Sequence, residues 1–168
     1  MKRKHSSDKP INLRFIGFCG ADDSVEPGLL AAVSATHPWV EWGVLFREAK
    51  EGLPRYGSPA WLEKLGAVNA NRTMRLAGHL CYPRVDELLR GETAFVKKLH
   101  DEVGFQRFQI NATAANGTDT PAMFGTDAAA EQCVAALRSA CAKLPHVEFI
   151  LQRNKETRPL WERLVDSM

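Results

Sequence analysis

Residues 11–46, INLRFIGFCGADDSVEPGLLAAVSATHPWVEWGVLF, establish the class of fold to expect. A strand-like run over Ile11–Phe18 is followed by a turn and by a helix-like segment over Glu26–Thr36. Pro38 stops this helix, and a second strand-like run begins at once over Val40–Phe46. This order of strand, helix and strand is typical of parallel strands that are joined by a crossover helix.

The same alternation continues to the end of the chain. Further strands are predicted at Thr73–Leu80, Phe105–Asn111 and Val147–Gln152. Further helices are predicted at Ser58–Leu65, Pro83–Val103 (in two pieces broken near Gly91), Asp127–Leu144 and Glu156–Asp166. Ser58 followed by Pro59 marks a helix start, because the hydroxyl caps the helix and proline needs no amide partner there.

Polar residues within the predicted strands favour a barrel-type parallel sheet over a doubly wound one. Arg75, Arg107 and Gln109 interrupt runs that a fully buried, doubly wound sheet would keep apolar. Such alternation suits a barrel, whose strands point alternately to the helix layer and to the interior. We therefore expect residues 11–168 to form a single α/β domain of five βα units, an incomplete TIM-like barrel. A small doubly wound open sheet is the alternative.

Composition excludes several classes of protein. The 168 residues are 45% hydrophobic and 25% charged, as in ordinary globular proteins, and number fewer than the roughly 250 of an eight-fold barrel. The net charge of +2, from 22 basic and 20 acidic residues, is too balanced to predict binding to nucleic acid or membrane. No apolar run approaches the ~18 residues of a membrane span. Residues 1–10 are expected to form a disordered basic tail, with no secretory signal.

Cysteine usage predicts the compartment. Cys19, Cys81, Cys133 and Cys141 form no C-x-x-C motif and follow no secretory signal. Reduced thiols in a cytoplasmic protein fit this pattern best.

Polar residues follow the predicted strands, where ligand sites of parallel α/β folds lie. This rim predicts a site for a small molecule, although polar residues also end ordinary strands that reach the surface. Asp22 could equally serve, with Asp23, to cap the first helix. The catalytic candidates are Cys19 and His79, and the substrate-binding candidates are Asp22, Arg47, Asn111, Gln152 and Asn154.

Two of these residues could transfer protons. Cys19 ends a strand and precedes Gly20, so a thiol with a lowered pKa there could act as a general base, although free cysteines are often buried apolar residues. His79 could be an acid, a base or a donor, or a packed histidine. His79 and Cys81 face the same side of a strand, but two ligands do not hold zinc, so no metal site is predicted. No dinucleotide fingerprint or Walker loop occurs, and no cofactor is expected.

Short motifs resemble phosphoribosylanthranilate isomerase. The segment Arg14–Gly20, RFIGFCG, followed by Asp22 and Asp23, resembles the first strand and acidic turn of that family, which has K-x-C-G. LAGHLC at 76–81 and FQIN at 108–111 resemble later strands of isomerase-like barrels. The resemblance implies a (β/α) barrel that opens the ribose of phosphoribosylanthranilate in tryptophan biosynthesis without a cofactor. It implies that Cys19 is the general base.

Departures from the family pattern open a second interpretation. Gly17 replaces the family lysine, and the aspartate that serves as general acid follows a sixth strand beyond these five units. We therefore expect an isomerase-like protein, truncated and inactive alone. The alternative is a non-catalytic small-molecule-binding or assembly module. The substrate is expected to be a small phosphorylated or sugar-like molecule. Five strands without closure leave two edges, which predicts a homo-oligomer.

Overall fold

The computed structural model describes residues 15–18, 23–46, 56–81, 83–110 and 127–151, with side chains for all of these except 15–18, 127–133 and 151. The strands are β1 (Phe15–Phe18), β2 (Val40–Phe46), β3 (Arg75–Leu80), β4 (Phe105–Ile110) and β5 (Glu148–Leu151). The helices are α1 (Pro27–Thr36), α2 (Pro59–Val68), α3 (Arg84–Leu89), α4 (Ala94–Lys98) and α5 (Asp127–Lys143). A π-helical turn, Leu99–Val103, continues α4.

The five strands form one parallel sheet in the order β1-β2-β3-β4-β5. The α/β class and the parallel alternation of strands with helices are therefore confirmed. The doubly wound alternative is wrong for these strands, because a doubly wound sheet reverses its strand order at a switch point and this sheet does not. Each crossover connects a strand to the next one in the same direction across the sheet. Because parallel crossovers share one handedness, their helices lie on one face of the sheet.

That helix-bearing face is defined by Trp42, Phe46, Gly78 and Phe108. The Trp42 indole nitrogen donates to the Ser34 hydroxyl of α1 over 2.8 Å. The Phe46 ring meets the Phe95 ring of α4 at 5.3 Å. A Cβ at Gly78 would lie 2.7 Å from the Phe108 ring, so only glycine lets that ring cover β3. The hydrophobic core therefore lies between the sheet and its helices.

The opposite face, here called the polar face, carries the charged residues of the strands. The alternation of side chains and the strand register arrange this face in three layers, from the amino to the carboxyl edge of the sheet. The first layer contains Glu41 and Arg75, the second contains Gly43, Ala77, Arg107 and Glu148, and the third contains Leu45, His79, Gln109 and Ile150. A register shift between β3 and β4 adds one residue to β4. Phe105 thereby packs with Phe46 on the helix-bearing side, while Arg107 still reaches the polar face.

Helix ends agree with most of the predicted signals. The Ser58 hydroxyl accepts the Trp61 N–H over 3.3 Å, so the predicted cap of α2 is confirmed. The capping interpretation of Asp23 is wrong, because its carboxylate accepts the Ser58 N–H over 3.2 Å. Glu26 precedes α1 instead and makes no side-chain cap. The break near Gly91, which has a φ of +82°, is confirmed between α3 and α4.

Two predicted segments cannot be compared with the structure. The basic tail at 1–10 and the helix at Glu156–Asp166 lie outside the described residues. Within the described part of the chain, no helix is long and apolar enough to cross a membrane.

Candidate functional site at the carboxyl edge

The carboxyl ends of the strands meet at one edge of the sheet. Phe46 of β2 pairs with Leu80 of β3, Leu80 pairs with Ile110 of β4, and Ile110 pairs with Leu151 of β5. Phe18, the last residue of β1, pairs with Gly43. The strand ends that precede Arg47, Asn111 and Gln152 in the sequence therefore lie at a single edge of the sheet. Those residues themselves, Cys19, Asp22, Arg47, Asn111, Gln152 and Asn154, lie outside the described part of the structure.

His79 is the catalytic candidate that the structure describes. It lies one residue before the end of β3, on the polar face, between Leu45 of β2 and Gln109 of β4. Only 3% of its surface is exposed. Burial lowers the pKa of His79 below 6.5, and the negative charge of Glu41 opposes this shift only in part. The imidazole is therefore neutral near pH 7, a form in which one nitrogen can donate a proton and the other can accept one.

Cys81 is the second chemically active residue at this edge. Its N–H donates to the Phe46 carbonyl over 2.9 Å, which continues the hydrogen bonding of β3 for one residue past the strand end. Strand alternation then places Cys81 on the same side as His79, as the sequence predicts. The thiol is buried and forms no disulfide with a described residue. The described residues contain no cluster of three or more histidine, cysteine or acidic side chains that could hold a metal ion.

A network of buried charges occupies the polar face below His79. Arg107 donates from Nη1 to both carboxylate oxygens of Glu41, over 3.0 and 3.1 Å, and from Nε to Glu148 over 2.9 Å. Arg75 lies 3.8 Å from the same Glu41 carboxylate. The side chains of Glu41 and Arg107 are 4% and 10% exposed. Both charges are paired, as burial of an ion requires.

This network stabilises the sheet below the site and does not take part in the site's chemistry. It joins β2, β3, β4 and β5 in the two layers nearer the amino edge, away from the layer that holds His79. The sequence draws attention to Arg75 and Arg107 as polar residues inside strands, but their carboxylate partners were missed. The available signal was the alternation within VEWGVLF at 40–46, which places Glu41 on the face opposite to Trp42, Val44 and Phe46.

Comparison with protein-family models, with curated proteins and with solved structures finds no match to this chain. The resemblance to phosphoribosylanthranilate isomerase therefore stays a prediction from short motifs.

Proposed function

We propose that this chain is an isomerase-like (β/α)-barrel protein related to phosphoribosylanthranilate isomerase, which acts on a small phosphorylated or sugar-like molecule at the carboxyl edge. Two features support the barrel likeness. The strands follow one another in sequential order in a parallel sheet, as they do around a barrel wall. The polar face is arranged in layers of side chains from neighbouring strands, as a barrel interior is.

The observation that carries the proposal is the position of His79. A neutral, buried imidazole in the last layer before the carboxyl edge is suited to move a proton between two atoms of a bound substrate. In the sequence, Cys19 directly follows Phe18, the last residue of β1. In this proposal Cys19 is the general base that the resemblance implies, and His79 donates or returns a proton. The reaction needs no cofactor.

A non-catalytic binding module is the second candidate. Within the described strand layer that holds His79, the neighbours Leu45, Gln109 and Ile150 supply no carboxylate that could serve as a general acid. The carboxylates of Glu41 and Glu148 lie in other layers and are paired with Arg107. A site with one amide and one imidazole can still hold a polar ligand through hydrogen bonds.

The cysteines support the choice of a reducing compartment. Among the residues whose side chains the structure describes, Cys81 and Cys141 form no disulfide. We propose that the protein acts in the cytoplasm, on a small molecule and not on nucleic acid or membrane.

The test combines binding and turnover of phosphoribosylanthranilate by the purified chain. Binding is measured by isothermal titration calorimetry and turnover by product chromatography, for the wild type and for Cys19→Ala and His79→Asn. The matched controls are Cys141→Ala and His146→Asn, which change an exposed thiol and an exposed imidazole away from the carboxyl edge.

Each outcome selects one interpretation. Isomerisation that Cys19→Ala abolishes and His79→Asn slows by roughly 10²-fold or more supports the isomerase. Binding without turnover supports the module. A chain that neither binds nor converts the compound contradicts the isomerase-like candidate, and equal losses in the control variants exclude the named residues from the site.

A further inference from the structure

A groove of about 760 Å³ lies on the helix-bearing side of the sheet, between α2 and the α3–α4 layer. Phe46, which points away from the polar face, forms part of its lining. The groove is therefore separated from His79 by the sheet itself. Its volume falls within the roughly 300–1,000 Å³ of sites that bind small molecules.

The walls of the groove are set by one close helix contact. A Cβ at Gly66 of α2 would lie 2.9 Å from the Glu102 carbonyl, so the two backbones meet there and close one end. Ala60, Glu63 and Ala67 line the α2 wall at helical spacing, and small side chains at 60 and 67 leave the groove open. The opposite wall includes the π-helical turn Leu99–Val103, a geometry that recurs at functional sites.

The lining is aromatic and apolar at its base. Phe46 and Phe95 contact each other edge to face, with ring centroids 5.3 Å apart. Leu62 and Leu99 line the groove beside them. Such a base favours the flat apolar body of a ligand over a sugar or a polar chain.

Arg84 supplies a fixed cation beside this base. Its guanidinium carbon lies 4.2 Å from the Phe95 ring centroid, and Nη1 donates to both Glu87 carboxylate oxygens over 2.7 and 2.8 Å. Its side chain is 39% exposed, against 67% for Lys98 and 63% for Glu102 on the rim. Within the described residues, Nε and Nη2 make no hydrogen bond, so part of the guanidinium fork remains available to a ligand.

We propose that this groove is a second binding site, for a small molecule with an aromatic body and one anionic head group. The body lies on Phe46 and Phe95, and the head accepts hydrogen bonds from Arg84. A guanidinium that is already oriented by a ring and a carboxylate loses little freedom when it binds an anion. The site is independent of the proposed isomerase site, because it lies on the other face of the sheet.

Two fluorescent probes test the site. 8-Anilinonaphthalene-1-sulfonate has the aromatic body and the anion, whereas N-phenyl-1-naphthylamine has the body alone. We expect the wild type to bind each probe at one saturable site. Arg84→Gln should weaken binding of the sulfonate about tenfold and that of the neutral probe less than twofold, since only the head group bonds to the guanidinium. Arg84→Lys, which keeps the charge, should retain part of the sulfonate affinity.

A variant whose side chain fills the groove provides a second test of the site. Ala60→Trp should weaken binding of both probes at least tenfold by occupying the space over the aromatic base. Lys64→Trp, on an exposed position of α2 outside the lining, should change neither. Circular dichroism of each variant checks that the fold is retained. The proposal is overturned if neither probe saturates, if Ala60→Trp leaves both affinities unchanged, or if Arg84→Gln affects both probes equally.

Discussion

At the residue scale, burial controls the chemistry of His79. The nearby Glu41 carboxylate favours the imidazolium, but Arg107 already holds that carboxylate through two hydrogen bonds. Desolvation is therefore the larger effect, and the imidazole stays neutral. In this neutral form the ring can accept a proton at one nitrogen and donate a hydrogen bond from the other.

The lowered pKa of His79 predicts a dependence of stability on pH. The unfolded chain binds a proton at His79 near pH 6.5, whereas the folded protein binds it only at lower pH. The free energy of unfolding should therefore be fully retained above pH 6.5 and fall as the pH drops below it, by at most about 1.4 kcal/mol per pH unit from this group. Urea denaturation between pH 5 and 8 measures the slope.

Paired variants assign that slope to one histidine. His79→Asn should flatten it, while His146→Asn, which changes an exposed histidine in the turn before β5, should leave it unchanged. A slope that survives in His79→Asn would show that another group is responsible.

At the element scale, α2 is fixed at its start by side chains and lines the proposed groove along one face. Its first turn is held by the Ser58 hydroxyl and, through the Ser58 N–H, by the Asp23 carboxylate from the segment before α1. The Trp61 indole nitrogen also donates to the Val25 carbonyl over 2.7 Å. One face of the helix lines the groove through Ala60, Glu63 and Ala67.

Loss of the cap should destabilise the protein measurably. Ser58→Ala removes the oxygen that accepts the Trp61 N–H, and we expect the free energy of unfolding to fall by about 1 kcal/mol. Thr93→Ala is the matched control, because Thr93 precedes α4 without a side-chain cap and should cost much less. Urea midpoints of the two variants make the comparison, and equal midpoints would contradict the role of the Ser58 hydroxyl.

At the scale of the whole molecule, the two edge strands of the sheet are the features that bear on association between copies of the chain. Within the described residues, β1 and β5 each pair with one neighbouring strand, so each has a second side with no described strand partner. Unpaired backbone groups on parallel edge strands favour association with another chain. We propose that copies of this protein associate through these edges, as the five-unit plan predicts.

Light scattering after size-exclusion chromatography tests the association. We expect a mass at least twice the 18.7 kDa of one chain at micromolar concentration. Trp39→Ser removes a 48% exposed side chain outside the edges and should leave that mass unchanged. A monomer at all concentrations would argue against edge pairing, and dissociation of Trp39→Ser would locate the contact at Trp39 instead.

The predicted elements and the observed ones differ mainly at their ends. β2 matches its predicted range, and β4 matches from Phe105 to Ile110, while its predicted last residue, Asn111, lies outside the described residues. α2 extends to Val68, three residues past the predicted end, because Gly66 does not end the helix but lies within it, against the Glu102 carbonyl. The π-helical turn gave no sequence signal, since it differs from an α-helix only in its hydrogen bonds.

The site was less predictable than the elements. The position of His79 near a strand end follows from local pattern, but its burial depends on strands that are distant in the chain. The pairing of Arg107 with Glu41 joins residues 66 positions apart, and it depends on a register shift that no local pattern shows. The groove at Arg84 likewise requires α2 and the π-helical turn to meet at Gly66.

Interactions between residues that are close in the chain determine the features that were predicted correctly from the sequence. These features are the α/β class, the parallel alternation, the cap at Ser58 and the break near Gly91. Each of these depends on side chains within a few residues of one another. The direction of the strand order, the layers of the polar face and the neutral state of His79 came from packing between distant segments. Desolvation and strand register are properties of neighbours in space, so no periodicity along the chain encodes them directly.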